Sequence, residues 1–242
     1  TLRRADGRLL RTWSAGHAAK IDACLDDYAY LLEGLVTLYE ATGTIRWLTE
    51  AQRLVAILFA QFWDTKEGGF FYTAHDHEHL IARGKDPHDG ATPAPGAVAL
   101  TALLRLSRLT GDTTHLPAIE QMFRLHRGLM ETHPTAVSQL LIALDFYFGP
   151  VREYAVIPPA GAEPDDAPTR HVLAAIHRRF EPNKVVARGS SDLPLLAGKE
   201  TGSEPRLYIC ENFACQQPLV GVEAIEAALA AIPGATDLKE PK

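Results

Sequence analysis

Leu25-Asp26-Asp27-Tyr28-Ala29 runs straight into residues 30–42, and this stretch sets the architecture expected for the first half of the chain. Leu31, Leu32, Leu35, Leu38 and Tyr39 recur at helical spacing and predict one broad buried face. Gly43 follows as a helix stop, because glycine takes a positive φ without steric cost. The two acids at the start have two readings. They can cap the helix and complement its dipole, or one can reach a pocket as an acid/base group. Adjacent helix residues face different ways, so a partner carboxylate must then come from elsewhere.

Working outward, Trp47, Leu48, Ala51, Leu54, Val55, Leu58, Phe59 and Phe62 predict a second helix ending at Trp63-Asp64. Gly68-Gly69-Phe70-Phe71-Tyr72 predicts a turn into a short aromatic strand, with Leu80-Ile81-Ala82-Arg83 as its hairpin partner. Residues 98–109 are apolar nearly all round and predict a helix buried on several sides. Leu116, Ile119, Met122, Phe123, Leu129 and Met130 line the next helix. Pro134 suits the first turn of another, with Val137, Leu140, Leu141, Leu144 and Phe148 on one face. Leu38-x-x-x-Thr42-Gly43-Thr44-x-x-x-Leu48 is echoed by Leu106-x-x-x-Thr110-Gly111-Asp112-x-x-x-Leu116, which makes a helical hairpin the repeating unit. Residues 1–20 are weakly patterned. After Gly149-Pro150 the character changes: strand (153–157), loop (158–168), helix (169–180), strands (184–187 and 206–210) and a last helix (222–232). That order predicts a small α/β unit. Residues 233–242 are expected to fray.

Composition narrows the classes of function. The 242 residues are 46% hydrophobic and 22% charged, with 24 Lys and Arg against 30 Asp and Glu and a net charge of −6. No basic block argues for nucleic acid or anionic membrane as a partner. No apolar run approaches the roughly 20 residues of a membrane span. Thr1-Leu2-Arg3-Arg4 leads to no apolar signal core, so a cytoplasmic location is expected. Cys24, Cys210 and Cys215 are too few for a disulfide framework.

Several clusters could carry chemistry. Asp89 stands with Arg83, Lys85 and His88 on a loop leading to a helix start, where backbone N–H groups can face a ligand. It is the candidate second carboxylate, with an ordinary charged loop as the other reading. His75-Asp76-His77-Glu78-His79 matches no zinc spacing of known strength, and no metal is expected. Cys210-Glu211-Asn212-Phe213-Ala214-Cys215 fits neither Cys-x-x-Cys redox spacing nor a zinc knuckle. It reads as small buried residues at a strand end or as a thiol pair. His126 reads as a core histidine. Trp47, Phe59, Phe62 and Trp63 read as core, with Trp63 the exception that could stack on a sugar. Tyr28 and Glu33 are further pocket candidates. No phosphate loop, nucleophile elbow or dinucleotide fingerprint is present.

Seven runs share a further property. They are Leu25-Asp26-Asp27-Tyr28-Ala29, Leu38-Tyr39-Glu40-Ala41-Thr42, Phe62-Trp63-Asp64, Gly68-Gly69-Phe70-Phe71, Asp89-Gly90-Ala91-Thr92-Pro93, Leu104-Arg105-Leu106 and Cys210-x-Asn212-Phe213-x-Cys215-x-x-Pro218. In this order they resemble a family of thioredoxin-domain-containing proteins that includes the spermatogenesis-associated protein of animals and its bacterial relatives. The resemblance implies a mainly α chain: part of an (α/α) six-hairpin toroid over residues 1–149, then a small α/β unit over 150–242. It also implies that the chain is the C-terminal portion of a longer protein, whose thioredoxin-like domain would be a partner. Such toroids are similar to those of sugar epimerases and glycoside hydrolases, which implies a carbohydrate ligand. Asp26 or Asp27 with Asp89 would be the catalytic acid/base groups. Tyr28, Trp63 and Arg83 would position the substrate, with no cofactor. Two alternatives stand beside this: a non-catalytic docking platform, and thiol redox through Cys210 and Cys215. One departure bears on activity. Where the family has a Ser-Gly-Asn run after the proline, this chain has Ala94-Pro95-Gly96, which removes a hydroxyl and an amide.

Overall fold

Helical periodicity between residues 25 and 148 becomes five α-helices in the computed structural model, which describes residues 2–78, 81–163, 166–189 and 192–232. They are α1 (Leu25–Thr42), α2 (Arg46–Gln61), α3 (Pro95–Thr110), α4 (Leu116–Thr132) and α5 (Ser138–Phe148), the last entered through a 3-10 turn at Pro134–Val137. The two predicted glycine stops form the same cap. Gly43 (φ +66°) donates its N–H to the Tyr39 carbonyl at 2.7 Å, and Gly111 (φ +73°) donates to Ser107 at 2.8 Å. A left-handed residue there satisfies a carbonyl that the helix end leaves open.

Contacts divide the chain into two compact units. The first comprises Thr1–Leu38, Thr44–Leu106 and Asp112–Phe148. The second comprises Tyr39–Gly43, Ser107–Gly111 and Gly149–Lys242. In the first, β1 (Leu10–Thr12) pairs antiparallel with β2 (Lys20–Asp22), with Leu10 opposite Asp22 and Thr12 opposite Lys20. In the second, β3 (Arg152–Ile157), β4 (Lys184–Arg188), β5 (Arg206–Glu211), β6 (Ala214–Cys215) and β7 (Leu219–Val220) form a five-stranded mixed sheet. β3 runs parallel to β4 and antiparallel to β5, while β6 and β7 pair in turn along β5. Helices α6 (Ala167–His177) and α7 (Val222–Ala231) contribute Val172, Leu173, Ile176, Ile225 and Leu229 to a core shared with Tyr154, Val156, Val186 and Leu207 of the sheet.

The expected mainly α class with a partial (α/α) toroid is overturned. Seven strands in two sheets stand among the described residues, so the class is α/β rather than mainly α, with helices present but no toroid shown. The misreading has a physical cause. Strands of two or three residues leave no period-2 signal, whereas helices of 11–18 residues announce themselves by repetition. The expected aromatic strand at residues 70–72 is also absent as a ladder. Only Trp63 and Phe70 form a single antiparallel bridge. Gly68 and Gly69, both at φ +83°, fold the chain back so that Phe71 N–H reaches the Phe62 carbonyl at 2.8 Å. Leu80 of the expected hairpin partner, His79 of the histidine run and the tail 233–242 lie outside the described residues.

Leu207 is fully buried in the sheet–helix core. Leu207→Ala should therefore cost about 2–5 kcal/mol, the transfer loss plus an unfilled cavity. A urea titration should show the lower midpoint with an unchanged slope.

Candidate functional site

The start of α1 is tied down by its own acids. Asp27 Oδ2 accepts the Cys24 N–H at 2.9 Å, the reach-back half of a capping box. Asp26 takes Arg11 in a two-pronged contact, Nη1 to Oδ1 and Nη2 to Oδ2, both at 2.9 Å. Asp27 Oδ2 receives the same Arg11 at 3.0 Å, and Tyr72 Oη donates to Asp26 Oδ2 at 3.2 Å. Burial works against the charged Asp26 carboxylate, but Arg11 outweighs it and holds that carboxyl below its usual range. Tyr28 is buried; its hydroxyl accepts the Leu9 N–H at 2.8 Å and its ring lies 5.1 Å from Phe62.

Asp89 is equally committed. Oδ1 accepts the Ala94 N–H and Oδ2 the Gln139 N–H, each at 2.8 Å, while its own N–H donates to the Ala136 carbonyl at 2.8 Å. One side chain thus fastens the loop to the start of α3 and to the first turn of α5. Arg83 turns inward, donating to the carbonyls of Thr73 and Gln61 and lying 4.0 Å over the Phe71 ring. Burial lowers its pKa from the ordinary arginine value. Trp63 packs at 5.4 Å on Phe59 and 5.0 Å on Phe70. The structure therefore brings Asp26 and Asp27 together on one guanidinium, with Asp89 bound to other partners.

A cleft of about 380 Å³ in the first unit is lined by none of these six side chains. Its apolar lining residues include Leu25, Phe70, Pro93, Ala94, Met122 and Leu140. Its polar ones are Tyr72, Lys85, Asp86, His88, Thr92 and His126. Lys85 Nζ is held by Asp64 at 2.6 Å, Glu67 at 3.3 Å and the Gly68 carbonyl at 3.1 Å. That ammonium, with the Lys66 and Glu67 N–H groups, brings the Asp64 carboxyl down to about 2. His88 Nδ1 meets Asp86 Oδ1 at 2.8 Å. His126 is half-buried on the cleft wall rather than in the core. Burial first, then the positive charges of Lys85 and His88, push its pKa below that of a free histidine, so it is neutral at pH 7. The sequence signal for this residue was its place one turn after Met122 on the same helical stripe, a position that does not separate core from cleft wall.

In the second unit Cys210 and Cys215 are joined by a disulfide across the β5–β6 pair. Among the described residues no group of three or more His, Cys, Asp or Glu side chains is placed to hold a metal ion. No described helix is long and apolar enough to cross a membrane.

Two measurements follow. A proton NMR titration of the His126 ring should give a midpoint below 6.5, the free-histidine value. Its neutral form is the one the fold accommodates, so its stabilising contribution is intact above pH 6.5 and is lost as pH falls through the lowered folded-state pKa. Asp89→Ala removes two bonds from a charged acceptor, each worth roughly 1.5–3 kcal/mol, and thermal unfolding should show that loss.

No family model matches the chain. Spermatogenesis-associated protein 20 of Rattus norvegicus is 30% identical over 232 residues, covering 89% of this chain and 29% of the relative. The Homo sapiens protein of that name is 29% identical over the same length. An uncharacterised Caenorhabditis elegans protein is 25% identical over 213 residues, covering 86% of this chain and 28% of its own length. The chain thus spans about 29% of the length of the curated relatives it matches. It is a homologue of one section of spermatogenesis-associated protein 20, in keeping with the resemblance carried by its motifs.

Proposed function

We propose that the cleft of the first unit binds a small hydroxyl-rich ligand of the carbohydrate class. The observation that carries this reading is the mixed lining. Phe70, Pro93 and Met122 line the cleft together with Tyr72, Lys85, His88, Thr92 and His126. A sugar ring has the matching chemistry, with C–H faces for the apolar side chains and hydroxyls for the donors and acceptors among them. The volume of about 380 Å³ falls in the range of roughly 300–1,000 Å³ common to small-molecule sites. The Ala94-Pro95-Gly96 departure lies on the cleft lining, where it removes polar groups and leaves the ligand an apolar surface.

Binding is favoured over glycoside cleavage. Cleavage asks for two carboxylates flanking the scissile bond, about 5–10 Å apart. Asp86 is the one acid among the lining residues, and it is engaged with His88. Asp26, Asp27 and Asp89 are held by Arg11 or by backbone N–H groups. The change of character at Gly149-Pro150 supports reading 1–149 and 150–242 as two domains, with the ends of α1 and α3 grouped with the second.

Calorimetric titration of the chain with a panel of monosaccharides and sugar phosphates tests the reading. Losing one hydrogen bond worth ~0.5–1.5 kcal/mol should weaken the binding member about 2- to 13-fold in His126→Ala. A panel with no binder at about ten millimolar (a binding free energy weaker than roughly −3 kcal/mol), or a binder indifferent to both His126→Ala and Tyr72→Phe, would remove it.

A further inference from the structure

The second unit holds a chemically distinct arrangement that the cleft reading does not use. Glu153 on β3 lies opposite Cys210 on β5, and Cys210 lies opposite Cys215 on β6. Residues directly opposite in antiparallel strands share a face, with Cβ atoms about 4.5–5.5 Å apart. The three side chains therefore form one row across the sheet. Its inner end is closed and its outer end open: Glu153 and Cys210 are buried, whereas Cys215 is exposed. Asn212 and Phe213, at φ +50° and +63°, make the tight turn between the strands. The Phe213 N–H donates to Glu153 Oε2 at 2.8 Å. Lys199 places Nζ 3.0 Å from Cys215 Sγ and 4.6 Å from the Tyr208 ring centre. A groove of about 280 Å³ runs beside Cys210, walled by Val151, Arg152, Asn183, Ile209 and Gln216.

We propose that Cys210 and Cys215 form a thiol–disulfide exchange centre acting on a dithiol or disulfide of a polypeptide, with Cys215 the exchanging sulfur and Cys210 the resolving one. The division of labour follows from access and charge. Only the outer sulfur can be reached by a second molecule, and the Lys199 ammonium beside it favours the thiolate, which is the attacking form. In the reduced state the Cys215 thiolate attacks one sulfur of the partner disulfide. A mixed disulfide forms and one partner thiolate leaves, taking a proton from water. Cys210 then gives its proton to the Glu153 carboxylate and attacks Cys215 Sγ. The Cys210–Cys215 bond forms, the bond to the partner breaks, and the second partner thiolate leaves and takes up a proton. Two thiols of this chain are oxidised and one partner disulfide is reduced; run backwards, a partner dithiol reduces this chain through the same intermediate. Glu153 suits the proton step. Burial first raises its pKa and nearby Glu211 adds to this, while the Phe213 N–H and Arg108, 3.6 Å away, oppose. The groove beside Cys210 is where the partner's main chain would lie, which favours a polypeptide over a small thiol.

The test uses the full chain with Cys24→Ser, so that only the pair reports. After mild reduction by dithiothreitol without denaturant, mass spectrometry should find both thiols alkylated by iodoacetamide, Cys215 first. Cys215 should react about tenfold faster than glutathione at pH 7, as expected of a thiol whose pKa is lowered by a neighbouring cation. Lys199→Met should abolish that advantage and shift the pH–rate profile upward, and Lys199→Arg should restore it. Cys210→Ala should accumulate a mixed disulfide at Cys215, more with a Cys-x-x-Cys disulfide peptide than with glutathione disulfide. Glu153→Gln should slow resolution of that intermediate and leave Cys215 alkylation unchanged. The proposal is overturned if the bond yields to reductant only in denaturant, or if Cys215 alkylates like glutathione and ignores Lys199→Met. A preference for glutathione disulfide overturns the polypeptide assignment. Should Cys210→Ala misfold, the alkylation rates of the unaltered pair and of the Lys199 variants still decide.

Discussion

Asp89 is the constraint on which the first unit depends. Its two carboxylate oxygens each accept a backbone N–H, one from Ala94 and one from Gln139. These donors stand where helices begin, and helix starts leave N–H groups with no partner in the helix itself. A carboxylate there meets an unsatisfied donor and a favourable dipole at once. Asp89 fastens to both helices the loop that carries Lys85, His88 and Thr92, three of the polar residues lining the cleft. A neutral amide of the same reach would lose one of the two bonds outright, because its NH2 group can only donate and would face a backbone N–H.

The Arg11 site shows how the same economy works at α1. Two adjacent acids at a helix start repel each other, and one guanidinium bridging both turns that repulsion into a tie between β1 and α1. Arginine suits this better than lysine, since its planar fork meets Asp26 with two parallel bonds. Exposed ion pairs are usually worth about 0–1 kcal/mol. These carboxylates are only partly exposed, with side chains 21% and 28% accessible, so the tie counts chiefly by fixing geometry. Of the two readings open to the acid pair, the capping one has a visible counterpart in the Asp27 bond to the Cys24 N–H.

How much was legible follows from the range of each signal. α1 to α5 could be read because a 3.6-residue period repeats three to five times in each, and the Gly43 and Gly111 stops needed only their neighbours. β1 and β2 could not, since three residues hold no period. The candidate aspartates could be picked out as residues, but the partners that hold them could not. Arg11 and Gln139 lie far along the chain from the acids they meet, and pairing over such separations is set by tertiary packing. His126 failed differently. Its stripe with Met122 was visible, but a stripe marks a face turned inward and does not say whether the facing space is filled by protein or left open as a cleft. Lys85 and His88 neighbour Asp89 in the sequence, and only the fold separates the two that line the cleft from the one that holds the loop.

Turn geometry accounts for the cysteine spacing, which the sequence reading leaves open. A two-residue hairpin with both central residues at positive φ fits the right-handed twist of its strands and puts the flanking residues in direct register. Residues three apart across the turn then face each other, as Glu211 and Ala214 do, and residues five apart form the next pair, as Cys210 and Cys215 do. Cys-x-x-x-x-Cys is therefore a cross-strand spacing whenever the middle two residues accept the left-handed region. Asn212 accepts it readily; Phe213 does so at a cost of about 1–2 kcal/mol. The Phe213 N–H bond to buried Glu153 is what holds that conformation. Glu153 therefore stands at two points: it accepts the N–H that holds the turn setting the sulfurs opposite each other, and it is the ionisable residue opposite the inner one. A glutamate buried for the turn alone could be replaced by glutamine, which accepts the same N–H bond without a charge to desolvate.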